Sequence, residues 1–129
     1  MEKDQAVRDR VTIKMKILLT INGDSIAQRF DLATEVNIAD MEEGRLIGEV
    51  RCVLLPGPSG DELCNLILKE NIQMAVCGGI EDVHYQYLSW KKIRVIDRVI
   101  GPAEEALNLA LADRLKPGMV IRINDVEGQ

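Results

Sequence analysis

Aromatic residues are nearly missing from this chain: one Phe, one Trp and two Tyr make up 3% of its 129 residues. A platform for single-stranded nucleic acid stacks bases on aromatic rings, so that class of function is excluded. Histidine occurs once, at His84, which leaves no His-rich metal cage and no choice of imidazole base. Cys52, Cys64 and Cys77 are odd in number and widely spaced, with no C-x-x-C pair. They read as reduced thiols of a cytoplasmic protein, at least two of them buried as small hydrophobes. No run of ~18 apolar residues occurs, so no membrane span is expected. The charged start Met1-Glu2-Lys3-Asp4-Gln5 is not followed by an apolar signal core. Positive charge is also short, with 16 Lys and Arg against 21 Asp and Glu for a net charge of −5. Proteins that grip phosphate backbones need the opposite balance, so no nucleic-acid partner is expected.

What is present suits a soluble globular unit. Hydrophobic residues at 47% and charged residues at 29% are an ordinary balance, and residues 1–129 read as one domain able to bury its own core.

Val11 to Ile17 alternates apolar and polar, the period of a half-exposed strand. The denser run Ile17-Leu18-Leu19-Thr20-Ile21 marks burial on both faces, and Asn22-Gly23-Asp24-Ser25 stops it. A second strand is expected over Glu35 to Asp40. A hairpin turn follows at Glu43-Gly44, then a third strand over Arg45 to Leu55. Pro56 to Gly60 breaks the meander, and Ser59-x-x-Glu62 has capping-box spacing for a helix ending near Asn71. Ile72 to Cys77 predicts a short strand, Gly78-Gly79-Ile80 a turn, and Glu81 the start of a second helix ending at Lys91-Lys92. Ile93 to Ile96 predicts another strand. Gly101-Pro102 then opens a third helix, with Pro near its first position and Ala103, Ala106, Leu107, Ala110 and Leu111 as its apolar stripe. Met119 to Asn124 reads as a final edge strand.

The order β-β-β-α-β-α-β-α predicts a three-layer α/β/α fold with a mixed five-stranded sheet. Ligands of such sheets bind beyond the carboxyl ends of the parallel strands. Two of those ends are identifiable: the loop after Ile21 and the Cys77-Gly78-Gly79 turn.

The strand, the Arg29-Phe30-Asp31-Leu32-Ala33 loop, the strand ending in Asp40, and Met74-Ala75-Val76-Cys77-Gly78-Gly79-Ile80 resemble the dinitrogenase iron–molybdenum cofactor biosynthesis family, which includes the NifX-type proteins. The resemblance spans residues 16–111, with extensions at 1–14 and 116–129. It implies a ribonuclease H-like fold and, from what some members bind, an iron–sulfur or iron–molybdenum cluster as ligand. The family's first loop carries His-Phe-Gly where this chain has Arg29-Phe30-Asp31. Its glycine turn matches through Gly78, Gly79 and Ile80.

The glycine turn lets backbone approach a ligand at the N-terminus of the next helix, where free N–H groups favour anions. Cys77 at that position is expected to have a lowered thiol pKa and to serve as a soft ligand; the plainer reading makes it the last buried strand residue. His84, three residues into the helix, would join Cys77 on one metal, or else act as a cap or surface histidine. Arg29 would clamp molybdate, homocitrate or phosphate with its planar fork, or pair with Asp24 or Asp31. Phe30 lies in the same loop and reads mainly as a plug for the core. Pro56 to Asp61 lacks the Gly-Lys-Ser/Thr of a phosphate loop, and helix capping accounts for it.

The centre of the first strand, Ile17 to Thr20, holds no carboxylate for two-metal chemistry, and no nucleophile–base motif is present. No enzymatic activity is expected. The sequence therefore predicts a non-catalytic carrier that binds a metal cluster or an anion through Arg29, Phe30, Cys77, Gly78, Gly79 and Ile80, with Cys77 and His84 as metal ligands. The alternative is an interaction or regulatory module of the same fold that has lost the ligand. Either would meet a protein partner or a second copy through terminal edge strands.

Overall fold

In a computed structural model that describes residues 14–122, the long apolar run becomes strand β1 (Lys14–Asn22) at the heart of a mixed sheet. Its alternation sorts side chains to two faces. Ile17, Leu19 and Ile21 enter one core cluster, and Leu18 enters the other. β1 pairs antiparallel with β3 (Glu35–Glu42), which pairs antiparallel with β4 (Arg45–Leu54). The turn between β3 and β4 is Glu43-Gly44, with φ of +53° and +80°. Both residues are left-handed, as a two-residue turn matched to strand twist requires. On its other side β1 pairs parallel with β5 (Met74–Val76), and β5 with β6 (Arg94–Ile96). The strand order is β4-β3-β1-β5-β6, with the two-residue β2 (Ser25–Ile26) hooked onto the end of β1.

Helices α1 (Gly60–Lys69), α2 (Asp82–Trp90) and α3 (Ala103–Leu111) link and flank the strands. Leu63, Cys64 and Ile67 of α1 and Leu88 of α2 pack on the Leu18 face, together with Phe30 from a single 3-10 turn (Phe30–Leu32). Ala103, Ala106, Leu107 and Ala110 of α3 pack on the opposite face. The sheet is thus sandwiched between helix layers, as the element order predicts. Among the described residues no helix is long and apolar enough to cross a membrane.

Two expectations need correction. The sheet has six strands rather than five, because Ser25–Ile26 pairs with β1; two residues are too few to show a period. Pro102 stands directly before the first residue of α3, at φ −64° and ψ 137°, next to the position expected of it. The expected C-terminal strand is reduced, within the described residues, to one bridge between Ile100 and Val120. The rest of that extension, residues 123–129, and all but the last residue of the 1–14 extension lie outside the described residues.

Candidate functional site

The carboxyl ends of β1, β5 and β6 converge, and backbone hydrogen bonds lace their following loops together. Gly79 N–H donates to Gln28 O (2.8 Å), and Phe30 N–H donates to Gly79 O (2.8 Å). Across the turn, Arg98 N–H donates to Gly78 O (2.8 Å) and Val99 N–H to Cys77 O (3.1 Å). Gly78 lies so close to the backbone carbonyls of Ala27 and Gln28 that a Cβ would collide with both. Glycine is required here by approach, not by a positive φ.

Arg29, Phe30, Gly78, Gly79, Ile80 and His84 are gathered at this end, as the sequence suggests, but they do not share one cavity. Gly78, Gly79 and Gln28 line a hollow of about 370 Å³ that is closed on its far side by Arg98 and Val99. Arg29 lines an adjacent hollow of about 260 Å³. Its Nε and Nη2 donate to Asp31 Oδ1 and Oδ2, each at 3.0 Å, in a bidentate pair that is half exposed. Of the two roles the sequence leaves open for Arg29, this is the pairing with Asp31. Phe30 is 1% exposed and plugs the core.

Cys77 points away from solvent and is 0% exposed. The lowered thiol pKa expected for it is overturned: burial, with the nearby Asp97 carboxylate, pushes it up to about 12. A thiol that keeps its proton this firmly is a poor ligand. His84 packs its ring against Phe30 (centroids 5.7 Å apart) and over Gly60 at the start of α1. Its Nε2 lies 3.4 Å from Asp61 Oδ1 and its Nδ1 3.8 Å from Glu81 Oε1. The ring thus clamps the first turns of α1 and α2 together. Nδ1 is nevertheless buried without a hydrogen-bond partner. Among the described residues no three His, Cys, Asp or Glu side chains are grouped as a metal ion requires.

Arg98 escapes the sequence reading. It follows the end of β6, is 67% exposed, holds a left-handed φ of +57° and donates to Asp97 Oδ2 at 3.2 Å. The signal was available, because β6 is a third parallel strand whose carboxyl end faces the same crevice.

No family model and no curated protein matches this sequence. Solved structures do match its fold. The protein PH0822 superimposes with a TM-score of 0.72 at 19% identity, covering 80% of this chain and 94% of its own. A Methanocaldococcus jannaschii protein named as a candidate dinitrogenase gives 0.65 at 22% identity in its crystal structure, covering 81% of this chain and 94% of its own. A Thermotoga protein named as a candidate NifB protein of the DUF35 family gives 0.62 at 14% identity, covering 84% and 97%. At these identities the likeness is one of fold.

Proposed function

We propose that this chain is a non-catalytic binding protein related to the dinitrogenase iron–molybdenum cofactor proteins, and that it holds an anion, or the anionic edge of a metal cluster carried as cargo, at the carboxyl ends of β1, β5 and β6. The observation that carries the reading is the laced turn: Gly78-Gly79 fixed by Gln28, Phe30 and Arg98 backbone, with Arg98 lining the hollow beside it and Arg29 lining the adjacent one. Arginine forks suit oxyanions, and each already holds an aspartate that a stronger anion can displace. The names of the M. jannaschii and Thermotoga proteins support the cofactor connection, and the strand order supports a ribonuclease H-like classification. Cys77 and His84 do not fit a thiolate–imidazole centre, because one is buried and protonated and the other is spent on packing. The backbone N–H groups of Gly79, Phe30, Arg98 and Val99 are already spent on carbonyls, so recognition through the arginine guanidinium groups is the chemistry left here.

Calorimetric titration with molybdate and with phosphate tests the reading. A charged hydrogen bond is worth ~1.5–3 kcal/mol, so Arg98→Ala and Arg29→Ala should each weaken binding by about tenfold or more. No heat with either anion, or affinities untouched by both substitutions, would end it.

A second reading rests on α2. Only His84 and Leu88 turn inward along this helix, while Val83, Tyr87 and Trp90 form an exposed stripe at i, i+4 and i+7. Lys91 Nζ sits 4.7 Å from the Trp90 ring centroid. Such a face suits an interaction module that docks on another protein surface.

A further inference from the structure

The opposite end of the sheet holds a larger hollow. It lies where β1 begins, β3 ends, and α1 and α2 both stop, and it measures about 720 Å³. That volume falls within the roughly 300–1,000 Å³ of small-molecule sites. Its apolar lining is Ile47 and Leu68 over the buried edges of Ile67, Ile72 and Ile93. Its charged lining is Lys14, Lys16, Lys91 and Lys92 against Asp40 and Glu42. A chain of net charge −5 therefore keeps an excess of positive charge around one concave apolar surface.

The plain explanation is that lysines complement the partial negative charge of helix C-termini. It covers Lys91 and Lys92 beyond α2, but not Lys14 and Lys16 on β1. The two helix ends are also closed internally: Ile72 N–H donates to Ile67 O (3.0 Å) and Ile93 N–H to Leu88 O (2.9 Å). An anion in the hollow would not face these carbonyls unsatisfied. Among the described residues Lys14, Lys16 and Lys92 have no ion-pair partner. Lys16 stands directly opposite Asp40 in the β1–β3 register, yet the two do not pair. Asp40 Oδ1 is instead buried without any hydrogen-bond donor. Buried acceptors are rarely left so, because the desolvation cost goes unrepaid.

We propose that this hollow is a second ligand site, and that its occupant is a small apolar organic acid carrying a hydroxyl or amine donor. The hydrocarbon body covers Ile47 and Leu68 and the edges of Ile72 and Ile93. The carboxylate meets Lys14, Lys16 and Lys92, and the donor satisfies Asp40 Oδ1. The site is separate from the crevice at the carboxyl ends and stands whether or not that crevice binds an anion.

Anilinonaphthalene sulfonate, which combines a sulfonate, an aromatic body and an N–H, is a direct probe. Fluorescence titration of the full chain should saturate at one molecule per chain. The Lys16→Glu, Lys92→Glu double variant should weaken it about tenfold, with its circular dichroism and urea midpoint confirming that it folds. The probe should be displaced by 3-hydroxydecanoate at several-fold lower concentration than by decanoate, and Asp40→Ala should erase that difference. Val83→Ser with Trp90→Ser should leave the titration unchanged. Non-saturating fluorescence, an affinity indifferent to the lysine reversals, equal displacement by the two acids, or loss of the signal on changing the α2 stripe would each overturn the proposal.

Discussion

Cys77, after β5, and Cys64, on the inner face of α1, share one core cluster, and burial lifts their thiols from an ordinary 9.0 to about 12 and about 11. Asp97 adds to the effect at Cys77 and Asp61 at Cys64. Between pH 9 and 12 the native state therefore holds protons that the unfolded chain releases. Their contribution is fully present below the unfolded value and is lost as pH rises toward the folded one, so stability falls with pH over that window. Cys64→Ala and Cys77→Ala should each flatten the alkaline loss of urea stability relative to the parent chain, whatever either costs at pH 7. An unchanged slope would mean that the thiols are not held protonated by the fold. The same burial explains what was legible at this residue. Its place as the last apolar position of a strand could be read from Met74-Ala75-Val76-Cys77. The direction of its pKa shift could not, because that depends on how α1 and α2 close over it and on an aspartate twenty residues away. His84 is a similar case: its position in the helix is plain from the sequence, whereas its use as a clamp depends on Gly60, which is brought beside it only by the packing of α1 on α2.

At the scale of elements, the segments with strong local chemistry are the ones that the sequence shows. Ser59 is read as a cap because Glu62 stands three residues on, and in the structure its Oγ accepts from Glu62 N–H at 3.2 Å. With Asp61 and Glu62 in the first turn and Lys69 in the last, α1 is consistent with its dipole throughout. Ser59→Ala should cost about 1 kcal/mol in urea unfolding, and Ser59→Asp should recover most of it. Equal stability of all three would show that tertiary contacts, not the cap, set where α1 begins. The elements that escape the sequence are those held by long-range pairing. β2 is two residues long and exists because Ile26 N–H finds Gly101 O (2.9 Å) and Ala27 N–H finds Thr20 O (2.9 Å). The Arg29–Gly79 bridge joins residues fifty positions apart. Both are set by the meeting of β1 with the β5–α2 turn. The family pattern pointed to that meeting, but no local period could show which backbone groups would pair.

For the molecule as a whole, the question is where a second protein could attach. The long edge strand β4 is exposed along nearly its whole length. Its register slips opposite Ala39, where the pairing jumps from Ile38 with Arg51 to Asp40 with Ile47. Arg45, Glu49 and Arg51 also place charge along it. A bulge and charges are the usual protections of an edge against pairing, so β4 is a poor docking strand despite its length. α2 has no such protection. Val83 at 66% and Trp90 at 73% exposure stand with Tyr87 on one face, which nothing among the described residues covers. If self-association occurs, it should run through this helix rather than through the sheet edge. Sedimentation velocity should then show a weight-average mass that rises with concentration. Val83→Ser with Trp90→Ser should abolish the rise, and Leu54→Lys on β4 should leave it intact. A rise abolished by Leu54→Lys would return the interface to the sheet edge. A monomer at every concentration would leave the stripe to a different partner protein and remove the second copy from the interaction reading. The crevice and the lysine-lined hollow occupy the two ends of the sheet, and α2 runs between them with its first turn at one and its last at the other. A partner seated on the Val83–Trp90 stripe would lie between the two sites. At concentrations where the chain self-associates, the anion and fluorescent-probe titrations should therefore shift together. In dilute monomer, where the Val83→Ser with Trp90→Ser control is run, neither should depend on the stripe.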